Sequence, residues 1–264
     1  MPEGDTIFRT AATLRHALCG KRVGRSELPR EGCAIVDPGT RVTSVEARGK
    51  HLLLGFEGGL VLHTHMQMTG SWHTYRTGER WRVARGAARA VVEVDDMVAV
   101  CVSAPVVELL RERALALHPR LSLLGPDLCS DVVDLGQVVE RVPRFASADT
   151  EVGALLLDQR VACGIGNVYK SEVLFARRVD PFAPVGSMTA VELKELYGTA
   201  SELLRRNLEG APRTTVPGGL AVYDRAKRPC VRCGTPVAAR RQGETPRVTY
   251  WCPSCQPTSV RAAR

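Results

Sequence analysis

Apolar residues recur along the chain with two different periods, and each period marks a region. From Thr6 to Leu18 they fall at Ile7, Ala11, Leu14 and Leu18, one face of a helix, with Asp5 as the expected cap and Gly20 as the stop. From Arg22 to Arg111 the period becomes two. It predicts strands over Arg41–Ala47, His51–Phe56, Leu60–Met66, Gly70–Tyr75, Ala88–Val94 and Met97–Ser103, with Glu57-Gly58-Gly59 and Asp95-Asp96 as tight turns. Short strands with hairpin links predict an antiparallel β-sandwich.

Between Pro119 and Phe145 the pattern breaks at Leu124-Gly125-Pro126-Asp127 and at Pro143, so a linker is expected over residues 126–146. Helical spacing returns over Ser147–Leu157 and Val168–Arg178. A third helix opens on a Thr189/Glu192 capping box, carries a stripe of Leu193, Leu196, Tyr197, Ala200, Leu203 and Leu204, and stops at Gly210. Two short strands, Thr235–Ala239 and Arg247–Trp251, flank Gln242-Gly243. The expected class is α+β in two domains. Residues 1–125 form a helix plus a sandwich, residues 147–228 a helical domain, and residues 229–264 a terminal hairpin and tail.

Cysteine spacing changes the picture of that hairpin. Cys230/Cys233 and Cys252/Cys255 are two Cys-x-x-Cys pairs with 18 residues between the inner two. Four thiolates at this spacing suit tetrahedral closure on one structural zinc ion, each pair on its own turn. Four unrelated thiols or two disulfides are the alternatives. A hairpin this short buries too little apolar surface to fold unaided, which favours the metal. The other five cysteines stand singly, as expected in a reducing cytoplasm.

Charge suggests what the hairpin meets. The chain is +8, and residues 201–264 alone carry 12 Lys/Arg against 4 Asp/Glu, also +8. An excess confined to the segment holding the hairpin is an electrostatic footprint for phosphates, against the alternative of a merely solvated basic face. No run of about 18 apolar residues is present, so no membrane span is expected, and the MPEGDTIF start lacks the features of a signal peptide.

Several polar residues exceed what a core needs. Pro2 follows Met1, whose removal would leave a secondary amine with a pKa of about 8, able to attack an aldehyde-type carbon and form an iminium ion. Glu3 stands beside it as a carboxylate for proton transfer. Lys50 follows Gly49 in the Arg48-Gly49-Lys50 loop, and His65–Gly70 links two strands; a solvated lysine and a core-edge methionine are the plain alternatives. Gly164 and Gly166 precede a helix start and expose backbone N–H groups, a seat for one phosphate or a plain helix–helix turn.

The order of these pieces carries a resemblance. Pro2-Glu3-Gly4, Arg48-Gly49-Lys50, His65–Gly70, the segment LLLDQRVACGIGNVYKSE (Leu155–Glu172) and a four-cysteine hairpin containing Arg247 follow one another over the whole chain. This resembles the formamidopyrimidine-DNA glycosylase/endonuclease VIII family of base-excision repair, and Pro-Glu-Gly with Gln67 before Met68 looks closer to the endonuclease VIII branch.

The resemblance implies a helix–two-turn–helix domain ending in a zinc-ribbon hairpin, and a bifunctional glycosylase and abasic-site lyase favouring oxidised pyrimidines. Pro2 would attack C1′ of the damaged nucleotide, Glu3 would act as acid/base, and Lys50 would sit by the adjacent phosphate. His65, Asn167 and Arg247 would contact phosphates, and Gln67 and Met68 would fill the void left by a flipped base. It implies duplex DNA with a damaged base or abasic site as partner, a monomer, and no catalytic cofactor. A non-catalytic damaged-DNA-binding zinc protein is the alternative. Two departures stand out: Thr6 occupies a position where many relatives carry a second glutamate, and Ala104–Arg113 has no clear counterpart of the aromatic and arginine pair that many relatives insert opposite the lesion.

Overall fold

A computed structural model describes residues 2–210, 212–243 and 246–258. The predicted fate of Met1, residues 244–245 and the end of the tail lie outside the described residues. The chain divides into two compact units, one ending at Ser122 and the other beginning at Leu123.

The first unit opens with α1 (Gly4–Leu18) and continues through β1 (Val23–Glu27), β2 (Val42–Arg48), β3 (His51–Phe56), β4 (Leu60–His65), β5 (Ser71–Arg76), β6 (Ala88–Val94), β7 (Met97–Val102) and β8 (Val106–Arg111). Two antiparallel four-stranded sheets result, ordered β1-β6-β7-β5 and β2-β3-β4-β8. Their inner faces share one core. Leu52, Leu54 and Leu62 come from one sheet, Val92, Ala99 and Cys101 from the other, and Ile7, Leu14 and Leu18 from α1. The expected sandwich is present.

Three expectations for this unit are corrected. Helix α1 starts at Gly4, ahead of the Thr6 start that an Asp5 cap would give: Glu3 occupies the cap position, and its carbonyl accepts the N–H groups of Thr6 and Ile7 at 2.9 and 3.1 Å. Asp5 instead lies in the first turn, buried and paired with Arg9 at 3.4 Å. Strands β1 and β8 were not foreseen. Neither alternates cleanly: β1 runs buried, exposed, exposed, buried, half-buried, and no residue of β8 is fully buried.

The second unit carries α2 (Leu135–Phe145), α3 (Val152–Leu155), α4 (Asn167–Arg177), α5 (Ala190–Arg205) and the hairpin β9 (Ala238–Gln242) with β10 (Arg247–Trp251). The linker expected over residues 126–146 therefore contains a helix. Asp134 caps it by accepting the Gln137 N–H at 3.0 Å, Val138 and Val142 are buried, and Pro143 falls in the last turns. A proline so near the end forfeits an N–H bond without stopping the helix earlier.

The helix expected over Ser147–Leu157 shrinks to the single turn α3, because tertiary partners take its backbone. Val152 donates to the Ala183 carbonyl and Gly153 to that of Pro181, both at 2.9 Å. The capping box on α5 is formed as the sequence predicts. Strand β9 starts at Ala238 rather than Thr235. Residues before it pair backwards instead, with Cys230 N–H on the Thr235 carbonyl at 2.9 Å and Lys227 N–H on that of Val237 at 2.7 Å, closing the first cysteine turn.

Candidate active site and nucleic-acid interface

In the first unit, chemistry-bearing residues gather at element ends. Pro2 is half-buried and Glu3 is fully buried at the head of α1. The helix start beside them presents its positive dipole end, which favours an anion close by. Thr6, Arg9 and Thr10 from α1 line a pocket of about 180 Å³ with Trp72 and Thr74 of β5. Trp72 Nε1 donates to Thr64 Oγ1 at 3.1 Å, which links this pocket to the strand end carrying His65.

Lys50 sits half-buried on the β2–β3 turn, where Gly49 adopts φ +59°. His65 ends β4 and is the register partner of His51 on β3. Burial, and then the Lys50 ammonium, push the His65 imidazole down to about 4. Its Nδ1 accepts the Gln67 N–H at 3.3 Å.

The turn after β4 is braced. Met66 is buried, the Gly70 N–H returns to the Met66 carbonyl at 2.8 Å, and Thr69 Oγ1 donates to the Ser103 carbonyl at 3.0 Å. A Cβ on Gly70 would stand 2.8 Å from the backbone of both Ala104 and Met66, so only glycine fits. The bracing holds Gln67 (φ +47°) and Met68 outward, Met68 with 57% of its surface exposed. An apolar side chain held in water on a rigid turn is suited to insertion elsewhere.

In the second unit, Asn167 starts α4 and is buried. Its Nδ2 donates to the Val248 carbonyl of β10 at 2.7 Å, which brings it beside Arg247. Lys170, fully buried, donates to Thr249 Oγ1 at 2.7 Å, and Thr249 donates to Gln242 Oε1 at 2.6 Å. These bonds fasten the hairpin to α4. The thiols of Cys230, Cys233, Cys252 and Cys255 converge with all four sulfurs within 4.8 Å of one another.

Comparison with known proteins follows the same division. Residues 1–105 match the formamidopyrimidine-DNA glycosylase N-terminal domain, and residues 124–217 match the formamidopyrimidine-DNA glycosylase H2TH domain. The chain is 41% identical to the probable endonuclease 8 2 of Streptomyces coelicolor, covering 97% of this chain and 94% of that protein. It is 38% identical to the DNA-(apurinic or apyrimidinic site) lyase Nei2 of Mycolicibacterium smegmatis, covering 98% and 100%. Among solved structures, the MutM (Fpg) protein of Thermus thermophilus superposes with a TM-score of 0.79 at 30% identity, covering 97% of this chain and 98% of that one. The chain belongs to the formamidopyrimidine-DNA glycosylase/endonuclease VIII family.

Within that family the two sequence relatives named above, one an endonuclease 8 and one a Nei2 lyase, are in line with the endonuclease VIII branch and the Pro-Glu-Gly start. The four cysteines fit a zinc ion. Cys233 and Cys252 lie 3.5 Å apart and Cys230 and Cys255 3.9 Å apart, against an edge of about 3.8 Å for four sulfurs around zinc at its usual bond length. The thiols also need a cation to ionise together: burial and the neighbouring thiols push Cys255 up to about 12, while hydrogen bonding with Thr235 draws Cys233 down to about 6. Cys230 and Cys252 pack with Phe175, Ala221, Val222 and Val237, so the metal turn is part of this unit's core.

Several polar residues of this family member escaped the reading of its sequence. Glu172 is buried and accepts the N–H groups of Ala221, Val222 and Tyr223 at 2.7, 2.8 and 2.7 Å, together with the Thr215 hydroxyl. It therefore fixes the segment around 215–223. The Lys-Ser-Glu end of the Leu155–Glu172 motif was the available signal. A second cluster, His51, His63, Glu108 and His118, lies in the first unit next to His65.

Proposed function

We propose that the chain is a bifunctional DNA glycosylase and abasic-site lyase of base-excision repair, with oxidised pyrimidines as favoured bases. The observation that carries this reading is Pro2 followed by a fully buried Glu3 at the head of α1, in a chain of this family. The Pro2 nitrogen attacks C1′ of the flipped nucleotide. The C1′–base bond breaks and the base leaves with the bonding pair, while Glu3 protonates the sugar oxygen and the ring opens. The resulting iminium withdraws electrons from C2′, a C2′ proton is lost, and the C3′–oxygen bond breaks to cut the strand.

Lys50 and His65 hold the phosphate next to the lesion, and Asn167 and Arg247 hold those flanking it. Such contacts position the duplex without reading its sequence. Met68 enters the space vacated by the flipped base, with Gln67 beside it. The four cysteines would hold zinc, which supplies structure only: with all four positions taken, no site for water remains.

Borohydride reduction during reaction with a duplex containing one oxidised pyrimidine should trap the protein on DNA, with the added mass on the peptide beginning at Pro2. No adduct on an abasic-site duplex, with Met1 shown to be absent, would overturn the lyase reading and leave a damage-binding protein.

A further inference from the structure

The outer face of the β2-β3-β4-β8 sheet carries a polar row in which His51 and His63 are buried and His65, Glu108 and His118 are half-buried. Side chains alternate along a strand, so His63 and His65 of β4 share a face, opposite Leu62. Strand register places His51 across from His65 and Glu108 across from His63. His118, beyond β8, folds back onto the same face. The inner face at the same level is filled by Leu52, Leu54 and Leu62. Apolar residues would have covered the outer face at lower desolvation cost, so the polar row calls for a reason.

Its hydrogen bonds assign the protons. His118 Nδ1 accepts the N–H groups of Arg120 and Leu121 at 3.3 and 3.2 Å, so its proton is on Nε2, which donates to Glu108 Oε2 at 3.0 Å. His63 Nδ1 donates to the same carboxylate oxygen at 2.8 Å. His63 Nε2 must then accept, and it does so from His51 Nδ1 at 2.8 Å. The His51 ring stands 4.6 Å from the His65 ring, tilted by 59°. His65 Nδ1 is taken by the Gln67 N–H, which leaves its proton on Nε2. Every ring then has one defined tautomer.

We propose that Glu108, His63 and His51 are positioning residues: a proton-ordered chain that props the His65 ring beside Lys50, so that this corner offers a phosphate one ammonium and one neutral N–H donor. The proposal rests on the phosphate role given to Lys50 and His65 above. The groups facing the chain agree with neutral rings. Burial pushes His51 down to about 2, with His65, His63, His118 and Arg120 adding to it, and burial lowers His63 against the pull of Glu108. Burial would raise the Glu108 carboxyl, but its bonds from His63 and His118 outweigh that and hold it ionised.

A divalent cation held by His63, Glu108 and His118 is the competing explanation, since one ligand atom from each lies within 4.8 Å of the others. The bonds at His118 oppose it. A metal on Nε2 would move the proton to Nδ1, where it would face two backbone N–H groups.

The test has two arms on the full-length protein. Nitrogen-15 spectra of labelled imidazoles at pH 7 should show His51 and His63 as neutral Nδ1–H forms and His118 and His65 as neutral Nε2–H forms. A charged His63 or His118, or uptake of a second zinc per chain with loss of those two N–H signals, overturns the proposal. In the other arm, Glu108→Ala should weaken binding to an abasic-site duplex about tenfold while the single-turnover rate at saturating protein, measured without borohydride, stays within about twofold. Glu108→Gln, which keeps an oxygen acceptor, should restore most of that affinity. Unchanged affinity in a folded Glu108→Ala protein overturns the proposal. Should the unaltered protein fail to trap at all, the lyase reading falls while the spectra and affinities still decide this one.

Discussion

The carboxamide of Asn167 at the head of α4 donates to the backbone carbonyl of Val248, one residue beyond Arg247 on the hairpin. One bond thus ties the two elements expected to hold the phosphates around a lesion. Asn167→Ala removes a buried donor and leaves the carbonyl unsatisfied, a loss of about 1–3 kcal/mol. The melting temperature should fall and duplex affinity should drop with it. Asn167→Asp should do worse, because it sets a carboxylate against that carbonyl. Thermal melts and binding isotherms of both variants check this, and an Asp variant as tight and stable as the wild type would count against the tether.

Acid should loosen the first unit. His65 and His51 have folded values of about 4 and 2, both below the unfolded value of about 6.5. A depressed histidine binds fewer protons folded than unfolded, so its contribution is complete above pH 6.5. It is lost as pH falls from there to about 4 for His65 and about 2 for His51. Between pH 6 and 4 each ring contributes up to about 1.4 kcal/mol per pH unit. Denaturant titrations should show stability falling across that window, and His65→Gln should flatten the slope. A flat profile would mean that these rings are charged or exposed.

The same neutrality separates the two residues proposed to contact the phosphate beside the lesion. Lys50→Ala should reduce the slope of log affinity against log salt by about one, as should Arg247→Ala, whereas His65→Ala should weaken binding with little change of slope. Equal slope changes for Lys50 and His65 would show an imidazolium at that corner. None of the three losses should depend on duplex sequence.

Parts of this site were legible because their signals are local. Two Cys-x-x-Cys pairs, a proline next to Met1 and a capping box at Thr189 are each written within a few residues. The polar chain behind His65 was not legible, because it depends on register. His63 meets Glu108 only if Val106–Arg111 is a strand, and that segment, following Pro105, shows no alternation to announce it. Helix α2 was hidden for a related reason. Pro143 reads as a breaker, and only the burial of Val138 and Val142 shows that the turns before it are helical. The late start of β9 likewise reflects a long-range choice, since residues 235–237 pair with 227–230 to shape the cysteine turn.

Metal removal should act on more than the hairpin. The cysteine turns share a core with Phe175 of α4 and with Ala221 and Val222, whose N–H groups are held by Glu172. Cys252→Ser or a strong chelator should release about one zinc per chain, lower the melting temperature of the second unit and abolish duplex binding. The first unit has its own core around α1 and its two sheets, so its transition should persist after the metal is gone. Calorimetry with zinc analysis distinguishes the outcomes. Loss of zinc with duplex affinity intact would show that the hairpin is folded by its bonds to α4 alone, through Lys170, Thr249 and Asn167, and that the metal is dispensable.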